Sequence, residues 1–546
     1  MPSRATNNNQ PFPLRRFYLP VSIALYILAF PGLVPGTGLL AFCALVPALL
    51  WLEQARPVHA AIFGFAFGAL TYTGITYWLI PYHLAALGLS IGLAAFWFAA
   101  LFFILALLLS SRRWILALAV PIVWTAVEIG RSSGFLGFPY GTLPYALYRY
   151  DLALRLASVG GVVTVGLVIV SANLGFYLST RRFLIQNSSA GISAPAGKRR
   201  WLQALPASIG ALVMLVVAIA GYPRPTDAVT RGDPSMAPAN GIFRVALIQP
   251  NIRKAQKTPA DYASAIAILT DLSERALGGS PGLVAWHETA VVPPLEWHLR
   301  HRPDRAIYEP LAVLKTFLGD YPVPLLIGNG WADPNGLDRT VGGNATVLYE
   351  RGIAKNYYIK MRLVPFSEYF PYEKTFPGLA RWLVYNFGYF WIPGTEHVLF
   401  RVAGMSFATP ICFEDSFGEH VADFDEPDFF IVQTNDAWAK SAAMQEQHLS
   451  MSAFRAAETG TVVLRVANTG STAALAPNGS VVAVLPPFET DILLADIRKG
   501  TGSHTLYERG GRHIESVIWL SGLALGILAC FRAFMIRARR RAIVSD

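Results

Sequence analysis

The sequence has few cysteines and few charged residues. Three cysteines occur among 546 residues, and 15% of the residues are charged. Cys43 and Cys530 lie inside long apolar segments, which excludes a disulfide framework, and no CxxC or Cys/His spacing indicates a metal site, so none is expected. The low charge, the 53% of hydrophobic residues and the mean hydropathy of +0.40 exclude an ordinary soluble enzyme. Together they predict a chain that lies partly in lipid.

Long uncharged runs predict eight transmembrane helices. No charged residue occurs from Phe17 to Leu52, a run too long for one crossing of a hydrocarbon core of roughly 30 Å. Because prolines and glycines at 31–38 interrupt this run, we predict a hairpin of two spans there. The remaining predicted spans lie at about 59–80, 87–110, 114–130, 154–180, 203–222 and 515–536. The sequence therefore predicts a membrane α-helical bundle, with seven spans before a long polar region and one after it.

The net charge of +10 follows the pattern of membrane topology rather than of nucleic-acid binding. With the N-terminus in the cytoplasm, the inside loops and tail carry Arg4, Arg15, Arg16, Arg56, Arg112, Arg113, Arg181, Arg182, Lys198, Arg199, Arg200, Arg537, Arg539, Arg540 and Arg541. The short outside loops carry only Arg131, Arg149 and Arg155. Since basic loops remain in the cytoplasm, the long polar region is predicted to lie outside it.

The segment 124–141, WTAVEIGRSSGFLGFPYG, combines two charges with several turn-forming residues. Glu128 and Arg131 are three residues apart and are expected to pair on one helix face. The glycines and the proline that follow require a tight, irregular path. Two interpretations stay open, namely a structural turn and a shaped, lipid-facing lip beside the outer domain.

The polar region has the pattern of a layered α/β domain. Residues 223–242 are rich in Pro, Gly, Ala and Asp, which predicts a linker. Beyond them, β-rich apolar runs at 243–249, 282–288, 323–329, 344–350, 405–412, 428–434, 461–468 and 480–486 alternate with helical patterns at about 259–278, 304–319 and 442–459. The predicted domains are therefore a membrane domain at 1–222, the linker at 223–242, an α/β domain at 243–513, and a final span with a basic tail at 514–546.

Reactive side chains follow three parts of this α/β domain. The stretch FATPICFEDSF at 407–417 is typical of an apolar strand that ends at Cys412, where a nucleophile is held rigidly and remains accessible. Glu288 follows the apolar run GLVAW, and Lys360 precedes a loop that contains proline. A carboxylate can accept the thiol proton, and an ammonium can stabilise an oxyanion. We therefore predict that Glu288, Lys360 and Cys412 are catalytic.

Each of these residues also has an ordinary structural interpretation. A free cysteine such as Cys412 is most often a small buried hydrophobe. A glutamate after a strand, such as Glu288, is usually solvated, and a lysine beside aromatic residues, such as Lys360, usually extends its ammonium to water. Their occurrence together, at strand ends and in a loop, favours the catalytic interpretation.

The order of these three residues, with their flanking sequences, resembles the nitrilase superfamily of carbon–nitrogen hydrolases. The segments NYYIKMRLVPFSEYFP at 356–371, ICFEDSF at 411–417 and NDAW at 435–438 resemble the apolipoprotein N-acyltransferases, bacterial membrane enzymes that complete lipoprotein maturation. TLYERGG at 505–511 and RLASVGG at 155–161 extend this resemblance over nearly the whole chain. It implies a membrane α-helical bundle of eight transmembrane helices and a nitrilase-like αββα sandwich domain inserted before the last helix.

The resemblance implies an acyl transfer in two steps at the inner membrane. A phospholipid would donate a fatty acyl chain to Cys412 as a thioester, and the α-amine of a diacylglyceryl-cysteine in an apolipoprotein would accept it. The catalytic domain would lie on the periplasmic face, no cofactor is implied, and nucleic acid is not an expected partner. We expect a monomer, because one chain supplies the whole triad.

Further site residues are implied by the same resemblance. Glu368 and Glu414 would support the triad by orienting Lys360 and tuning the charge around the thiolate. The implied substrate-binding residues are Trp438, Phe413 and Asn435. Thr258, His287, Phe413, Ala439 and Lys440 differ from the pattern common in the family, and Lys440 carries the hypothesis of a positive charge near the phospholipid headgroup.

Two other functions are compatible with parts of the pattern. A membrane-anchored nitrilase-like amidase would hydrolyse a small amide with the same three residues, although seven preceding spans exceed what an anchor needs. A non-catalytic transporter with an outer binding domain would leave the three residues without a role, and its spans would carry few ionisable groups to mark a path.

Overall fold

The computed structural model describes residues 15–32, 34, 36–109, 118–188, 216, 226–253, 256–336, 342–387, 390–500 and 504–545. The chain divides into two compact units. The first comprises Met1–Leu156, Val162–Gly221 and His513–Asp546, and the second comprises Ala157–Gly161 and Tyr222–Arg512.

Helices form the described part of the first unit. They are α1 (Arg15–Ala29), α2 (Val46–Leu52), α3 (Pro57–Thr76), α4 (Leu84–Leu109), α5 (Val120–Ser132), α6 (Asp151–Ser188) and, late in the chain, α13 (His513–Ser545). Among the described residues, four helical stretches are long and apolar enough to cross a membrane, and they are Pro57–Leu79, Leu84–Leu109, Asp151–Arg182 and His513–Arg539. The unit therefore has the character of a membrane domain.

The predicted count of eight transmembrane helices is not confirmed. The predicted hairpin at 17–52 consists of α1, a 3₁₀ turn at Gly38–Phe42 and the seven-residue α2. The described part of the predicted span at 114–130 begins at residue 118 and contains most of α5, which has 13 residues. Proline lies in the first turn of α2 and of α5, a position that suits proline. The predicted span at 203–222 lies almost wholly outside the described residues.

The segment after α5 is organised by a buried arginine. Arg131 donates from Nη1 to the carbonyl oxygens of Phe138 at 2.9 Å and Tyr140 at 3.2 Å, and from Nη2 to Thr142 Oγ1 at 2.7 Å. Glu128 is also buried and accepts from the Leu143 amide at 3.4 Å. These two side chains satisfy the backbone of the irregular loop, which favours the structural turn among the two interpretations above.

Two β-sheets form the centre of the second unit. The seven-stranded sheet has the order β1-β13-β2-β3-β4-β5-β6, and the six-stranded sheet has the order β12-β11-β10-β9-β8-β7. The strands are β1 (Val229–Arg231), β2 (Ile242–Gln249), β3 (Leu283–Ala285), β4 (Leu325–Ala332), β5 (Gly342–Glu350), β6 (Ile353–Ile359), β7 (Phe400–Val402), β8 (Met405–Ala408), β9 (Phe429–Thr434), β10 (Val462–Ala467), β11 (Ala473–Leu475), β12 (Val481–Val484) and β13 (Asp491–Arg498). Each of the eight predicted runs overlaps one strand.

Within the described part of this unit, six helices accompany the sheets. They are α7 (Pro259–Ala276), α8 (Leu295–His301), α9 (Arg305–Asp320), α10 (Pro377–Phe387), α11 (Gly418–Ala422) and α12 (Ala442–Thr459). Thr258 begins α7 through a capping box with Asp261, and Asp304 caps α9 by accepting from the Ala306 amide. Thr258 is thus explained as a helix cap.

The sheets pack face to face, with helices on their outer faces. The buried side chains of α7 and α9 form one apolar core with those of β2 to β5, around Trp286. Between the sheets, Gln433 of β9 donates to the Trp286 carbonyl at 2.7 Å, and the Phe243 and Phe429 rings lie 6.0 Å apart. Helix α12, almost entirely buried, packs on the six-stranded sheet. This layering corresponds to the predicted αββα sandwich.

The strands that had not been predicted are β1, β6, β7, β11 and β13. β1 lies within the stretch predicted as a linker and pairs with β13. β6 alternates between exposed and partly buried residues up to the buried Tyr358, and it carries a lysine and an asparagine, so its sequence lacks an apolar run. Edge strands of this kind form because a neighbouring strand offers hydrogen bonds.

Candidate active site

The fold brings together the ends of strands from both sheets. Glu288 lies three residues beyond β3, and Lys360 follows β6 directly, so the seven-stranded sheet supplies both. Cys412 follows β8 of the six-stranded sheet and begins a 3₁₀ turn, Cys412–Ser416. Because the sheets pack face to face, residues that are far apart in the sequence meet at one end of the sandwich.

Glu288, Lys360 and Glu368 form a group that we call the acid–base cluster. Lys360 Nζ lies 3.1 Å from Glu288 Oε1 and 2.9 Å from Glu368 Oε1, and the lysine side chain has no exposed surface. Glu288 also accepts from Asn344 Nδ2 at 2.8 Å and from the Asn435 amide at 3.0 Å. These hydrogen bonds fix the Glu288 carboxylate in place.

The acid–base cluster carries two carboxylates for one ammonium. Burial by itself would lower the pKa of Lys360, but the Glu288 and Glu368 carboxylates raise it well above its ordinary value. Burial raises the pKa of Glu368, against the opposing effect of Lys360. Lys360 therefore stays charged, and the cluster favours uptake of a proton by a carboxylate.

Cys412 has a backbone conformation that is uncommon for a residue with a side chain. Its φ of 51° lies in the left-handed region, and the residue is partly buried. Thr434 Oγ1, at the end of β9, lies 3.3 Å from the sulfur and donates to it. Burial and the Glu288 carboxylate raise the pKa of the Cys412 thiol, and the Lys360 ammonium opposes them. The resting thiol is therefore neutral and depends on a base for activation.

Glu414 holds the 3₁₀ turn Cys412–Ser416 against the segment that follows Lys360. Its carboxylate is fully buried and accepts from the amides of Ile411 at 2.7 Å, Met361 at 2.6 Å and Arg362 at 3.0 Å. Burial would raise the pKa of Glu414, but nearby His420 and the amides of Ile411 and Arg362 lower it. Glu414 thus holds the backbone of the residues that follow Lys360, whereas Glu368 contacts the ammonium directly.

A second buried group, which we call the support cluster, comprises Asp415, Asp436, His448 and Arg465. Arg465 donates to Asp415 Oδ2 at 3.0 Å and to Asp436 Oδ2 at 2.9 Å. His448 Nε2 lies 2.9 Å from Asp415 Oδ1, and His448 Nδ1 lies 3.2 Å from both Asp436 oxygens. All four side chains are buried. Two carboxylates therefore face two cationic groups.

The pKa values in the support cluster favour its fully charged form. Burial would lower the pKa of His448, as would Arg465, but the two carboxylates raise it from 6.5 to about 9. Burial would raise the pKa of Asp436, but His448 and Arg465 lower it from 3.8 to about 2. The pKa of Asp415 is lowered in the same way. The cluster is consequently neutral overall around pH 7.

The sequence did not predict the support cluster, although Arg465 gave one signal. It lies within TVVLRVAN, an apolar run that became the buried strand β10, and a buried arginine requires acidic partners. The acidic residues that follow Cys412 and the histidine of α12 were the available partners.

One group of ligand-type atoms has the spacing of a metal site. One ligand atom each from Cys412, Asp436 and His448 lies within 4.8 Å of the others. However, the Arg465 guanidinium already binds Asp436, and both nitrogens of His448 face acidic oxygens. A bound cation would add to this positive charge, so the group fits hydrogen-bonded support better than metal binding.

The three predicted substrate-binding residues have different surroundings. Phe413 is buried, and its ring packs edge-on against Phe417 at 5.0 Å. Asn435 receives a hydrogen bond from Asn468 Nδ2 at 3.0 Å, and its backbone amide donates to Glu288, so its contacts favour positioning of the base. Trp438 is partly buried in the turn that follows β9.

His287, beside the predicted base, is fully buried. Its Nδ1 lies 2.7 Å from the Glu288 carbonyl oxygen. Burial lowers the pKa of His287 to about 4. The ring is therefore neutral, and it holds the backbone that carries Glu288.

Sequence models of two protein families match this chain. The first, described as apolipoprotein N-acyltransferase N-terminal domain, matches residues 22–175, and the second, carbon-nitrogen hydrolase, matches residues 244–507. Among solved structures, an amidase from Nesterenkonia sp. is 16% identical with a TM-score of 0.36, over 52% of this chain and 99% of the amidase.

Curated relatives match nearly the whole chain. Apolipoprotein N-acyltransferase 1 of Treponema pallidum is 33% identical, over 95% of this chain and 96% of the relative. Apolipoprotein N-acyltransferase 1 of Treponema denticola is 32% identical, over 91% of this chain and 92% of the relative. Both parts of the chain, apolar and α/β, are therefore present together in these relatives.

Proposed function

The chain belongs to the apolipoprotein N-acyltransferase family, and we propose that it transfers a fatty acyl chain from a membrane phospholipid to the N-terminal amine of diacylglyceryl-cysteine in apolipoproteins. The resemblance found in the sequence is thereby confirmed. Relatives that carry this activity in their names match almost the entire chain, including its apolar part. This breadth favours lipoprotein N-acylation over the membrane-anchored amidase.

The contact between Glu288 and Lys360 beside a neutral thiol is the observation that carries the proposed chemistry. In the first step, Glu288 accepts the Cys412 proton, and the sulfur attacks the ester carbonyl of the phospholipid. The Lys360 ammonium, held by two carboxylates, stabilises the oxyanion of the tetrahedral intermediate. The carbon–oxygen bond then breaks, Glu288 returns the proton to the leaving oxygen, and a lysophospholipid departs from the thioester.

In the second step, the acceptor amine attacks the thioester carbonyl. Glu288 takes the proton of the attacking amine, and Lys360 again stabilises the oxyanion. The carbon–sulfur bond breaks, and the amide product leaves as Cys412 recovers its proton from Glu288. One site serves both steps, so donor and acceptor bind in turn.

A membrane location makes this chemistry efficient. Both substrates carry lipid chains, so a site beside one leaflet raises the effective concentration of each. The four long apolar helices support an inner-membrane protein. From the distribution of basic residues, we place the α/β domain on the periplasmic face. The chain supplies all three triad residues, and we propose that the monomer is active.

Transfer can be measured with the full chain in phospholipid vesicles. The assay uses a phospholipid with a labelled acyl chain and a synthetic peptide that begins with diacylglyceryl-cysteine. We expect a labelled amide with the wild type and with Cys530→Ala, a control at an exposed cysteine of α13. Cys412→Ala should form none. Transfer by Cys412→Ala, or hydrolysis of small amides without any lipid product, would contradict the proposal.

A further inference from the structure

The hydroxyl group of Thr434 lies between two acceptors but has one proton to donate. Its oxygen is 3.3 Å from Cys412 Sγ and 3.2 Å from Asp436 Oδ1. A neutral thiol is a weak acceptor, and a carboxylate is a strong one. When the sulfur loses its proton, it becomes an anion and competes for the hydroxyl proton. The charge on the sulfur therefore decides which acceptor receives this hydrogen bond.

Asp436 can lose the hydrogen bond from the Thr434 hydroxyl without becoming unpaired. Arg465 donates to its Oδ2 at 2.9 Å, and His448 Nδ1 lies 3.2 Å from each of its oxygens. A buried carboxylate that loses one of several donors loses far less than one that loses its only donor. Asp436 thus holds the hydroxyl in place while its own charge is satisfied by the two cations.

His448 also contacts the nucleophile residue directly. Its Nε2 lies 3.3 Å from the Cys412 carbonyl oxygen and 2.9 Å from Asp415 Oδ1. Nδ1 and Nε2 therefore both face acceptors, which requires a proton on each nitrogen. A cation here balances the second carboxylate, so that the support cluster presents no net negative charge to a thiolate. The Cys412 carbonyl is held where the backbone adopts its left-handed conformation.

We propose that His448 is a positioning residue for the nucleophile. It holds the Cys412 peptide directly. Through its contact with Asp436, it also leaves the Thr434 hydroxyl able to donate to the Cys412 sulfur when that sulfur is charged. Charged groups that face the ring are Asp415 of the turn Cys412–Ser416, Asp436 after β9 and Arg465 of β10. The proposal rests on the proposed role of Cys412 as the nucleophile.

Alkylation of Cys412 by iodoacetamide measures the thiolate without lipid or acceptor. The full chain in detergent is treated at a series of pH values, and peptide mass spectrometry distinguishes Cys412 from Cys43 and Cys530. We expect Thr434→Val, which removes the hydroxyl at nearly constant shape, to slow alkylation about tenfold at each pH below the thiol pKa, because one pKa unit is tenfold in thiolate. Thr434→Ser restores the hydroxyl and should react at nearly the wild-type rate.

The histidine is tested by His448→Gln, which keeps a donor but removes the positive charge. We expect slower alkylation by about tenfold and a pH midpoint moved upward. His298→Gln is the matched control, since His298 is equally buried but lies on α8, with its Nδ1 2.8 Å from the Pro294 carbonyl. It should leave the alkylation profile unchanged.

The thermal midpoint of each variant shows whether it is folded. If His448→Gln does not fold, the comparison of Thr434→Val with Thr434→Ser decides the proposal. Equal alkylation profiles for Thr434→Val and Thr434→Ser would overturn it. So would a wild-type profile for folded His448→Gln. If instead Cys412→Ala still transfers acyl chains, the proposed role of Cys412 as the nucleophile fails. The lipid-free alkylation rates do not test that role, so the two failures are distinguishable.

Discussion

The two charge clusters around Cys412 use similar groups but have different charge balances. The acid–base cluster has two carboxylates for one ammonium, and the support cluster has two carboxylates for two cations. An unbalanced buried cluster takes up a proton readily, whereas a balanced one loses stability when any member changes its charge. We therefore propose proton transfer for the acid–base cluster and rigid positioning for the support cluster.

The largest effect is expected from removing the cation of the acid–base cluster. Lys360→Met should reduce acyl transfer about a thousandfold, because the oxyanion loses its preorganised positive charge. The labelled transfer assay measures this loss. Lys315→Met is the control, since Lys315 belongs to the same domain but pairs with Glu296 near the surface, and its transfer rate should stay within about twofold. Comparable losses in both variants would remove the distinction between this lysine and the others.

Neutralising one carboxylate in each cluster should affect stability to different extents. Asp436→Asn leaves the support cluster with an unpaired positive charge and should lower the free energy of unfolding by about 3 kcal/mol. Glu368→Gln balances the acid–base cluster and should change this free energy by less than about 1 kcal/mol. Chemical denaturation in detergent compares the two variants. Equal destabilisation would show that charge balance does not distinguish the clusters.

The pH dependence of stability should reflect the support cluster. Because its pKa falls from 3.8 to about 2 on folding, Asp436 contributes about 2 kcal/mol above pH 3.8, and this contribution is lost as the pH falls through about 2. Because its pKa rises from 6.5 to about 9, His448 contributes fully below pH 6.5 and loses its contribution as the pH rises through about 9. The thermal midpoint should therefore fall at both extremes.

Two variants check the assignment of these limits. Asp436→Asn should flatten the acidic side of the profile, and His448→Gln should flatten the alkaline side. A profile that is unchanged in shape in both variants would assign the pH dependence to other groups.

The smallest effect is expected from Glu368→Gln on catalysis. The glutamine oxygen still accepts from Lys360, but one charge-assisted hydrogen bond is weakened, so transfer should fall about tenfold. Glu368→Ala removes the contact, and its rate of acyl transfer should fall further. Separate measurement of kcat and KM identifies the loss as one of positioning, since a positioning loss lowers kcat more than it raises KM. A wild-type rate for Glu368→Ala would limit the acid–base cluster to Glu288 and Lys360.

The sequence predicted the residues at strand ends better than it predicted their supports. Glu288 and Cys412 each lie at the end of an apolar run that predicted a strand, so their position at the edge of a sheet was readable from local pattern. Lys360 follows β6, which has no apolar run and was not predicted. The support cluster draws Asp436, His448 and Arg465 from three elements, and periodicity gives the face of a strand without giving the charges that meet there. Tertiary packing alone selects these partners.

In the membrane domain, too, local pattern predicted only part of the structure, although for a different reason. Hydropathy identified apolar runs, and the four longest described helices correspond to predicted spans. In the run from Phe17 to Leu52, prolines and glycines divide the chain into short helices. The length of the apolar run alone did not predict how short these helices are. Local breaks in the backbone therefore decide the helix count where hydropathy does not.

The most direct test of the account is the mass of Cys412 after exposure to phospholipid without acceptor. The full chain is incubated with phospholipid vesicles and digested, and the peptide that contains Cys412 is weighed before and after addition of the diacylglyceryl-cysteine peptide. We predict the added mass of one fatty acyl chain on Cys412, which disappears as the amide product forms. An unmodified Cys412 during active transfer, or an acyl chain on another residue that passes to the acceptor, would contradict the central claim.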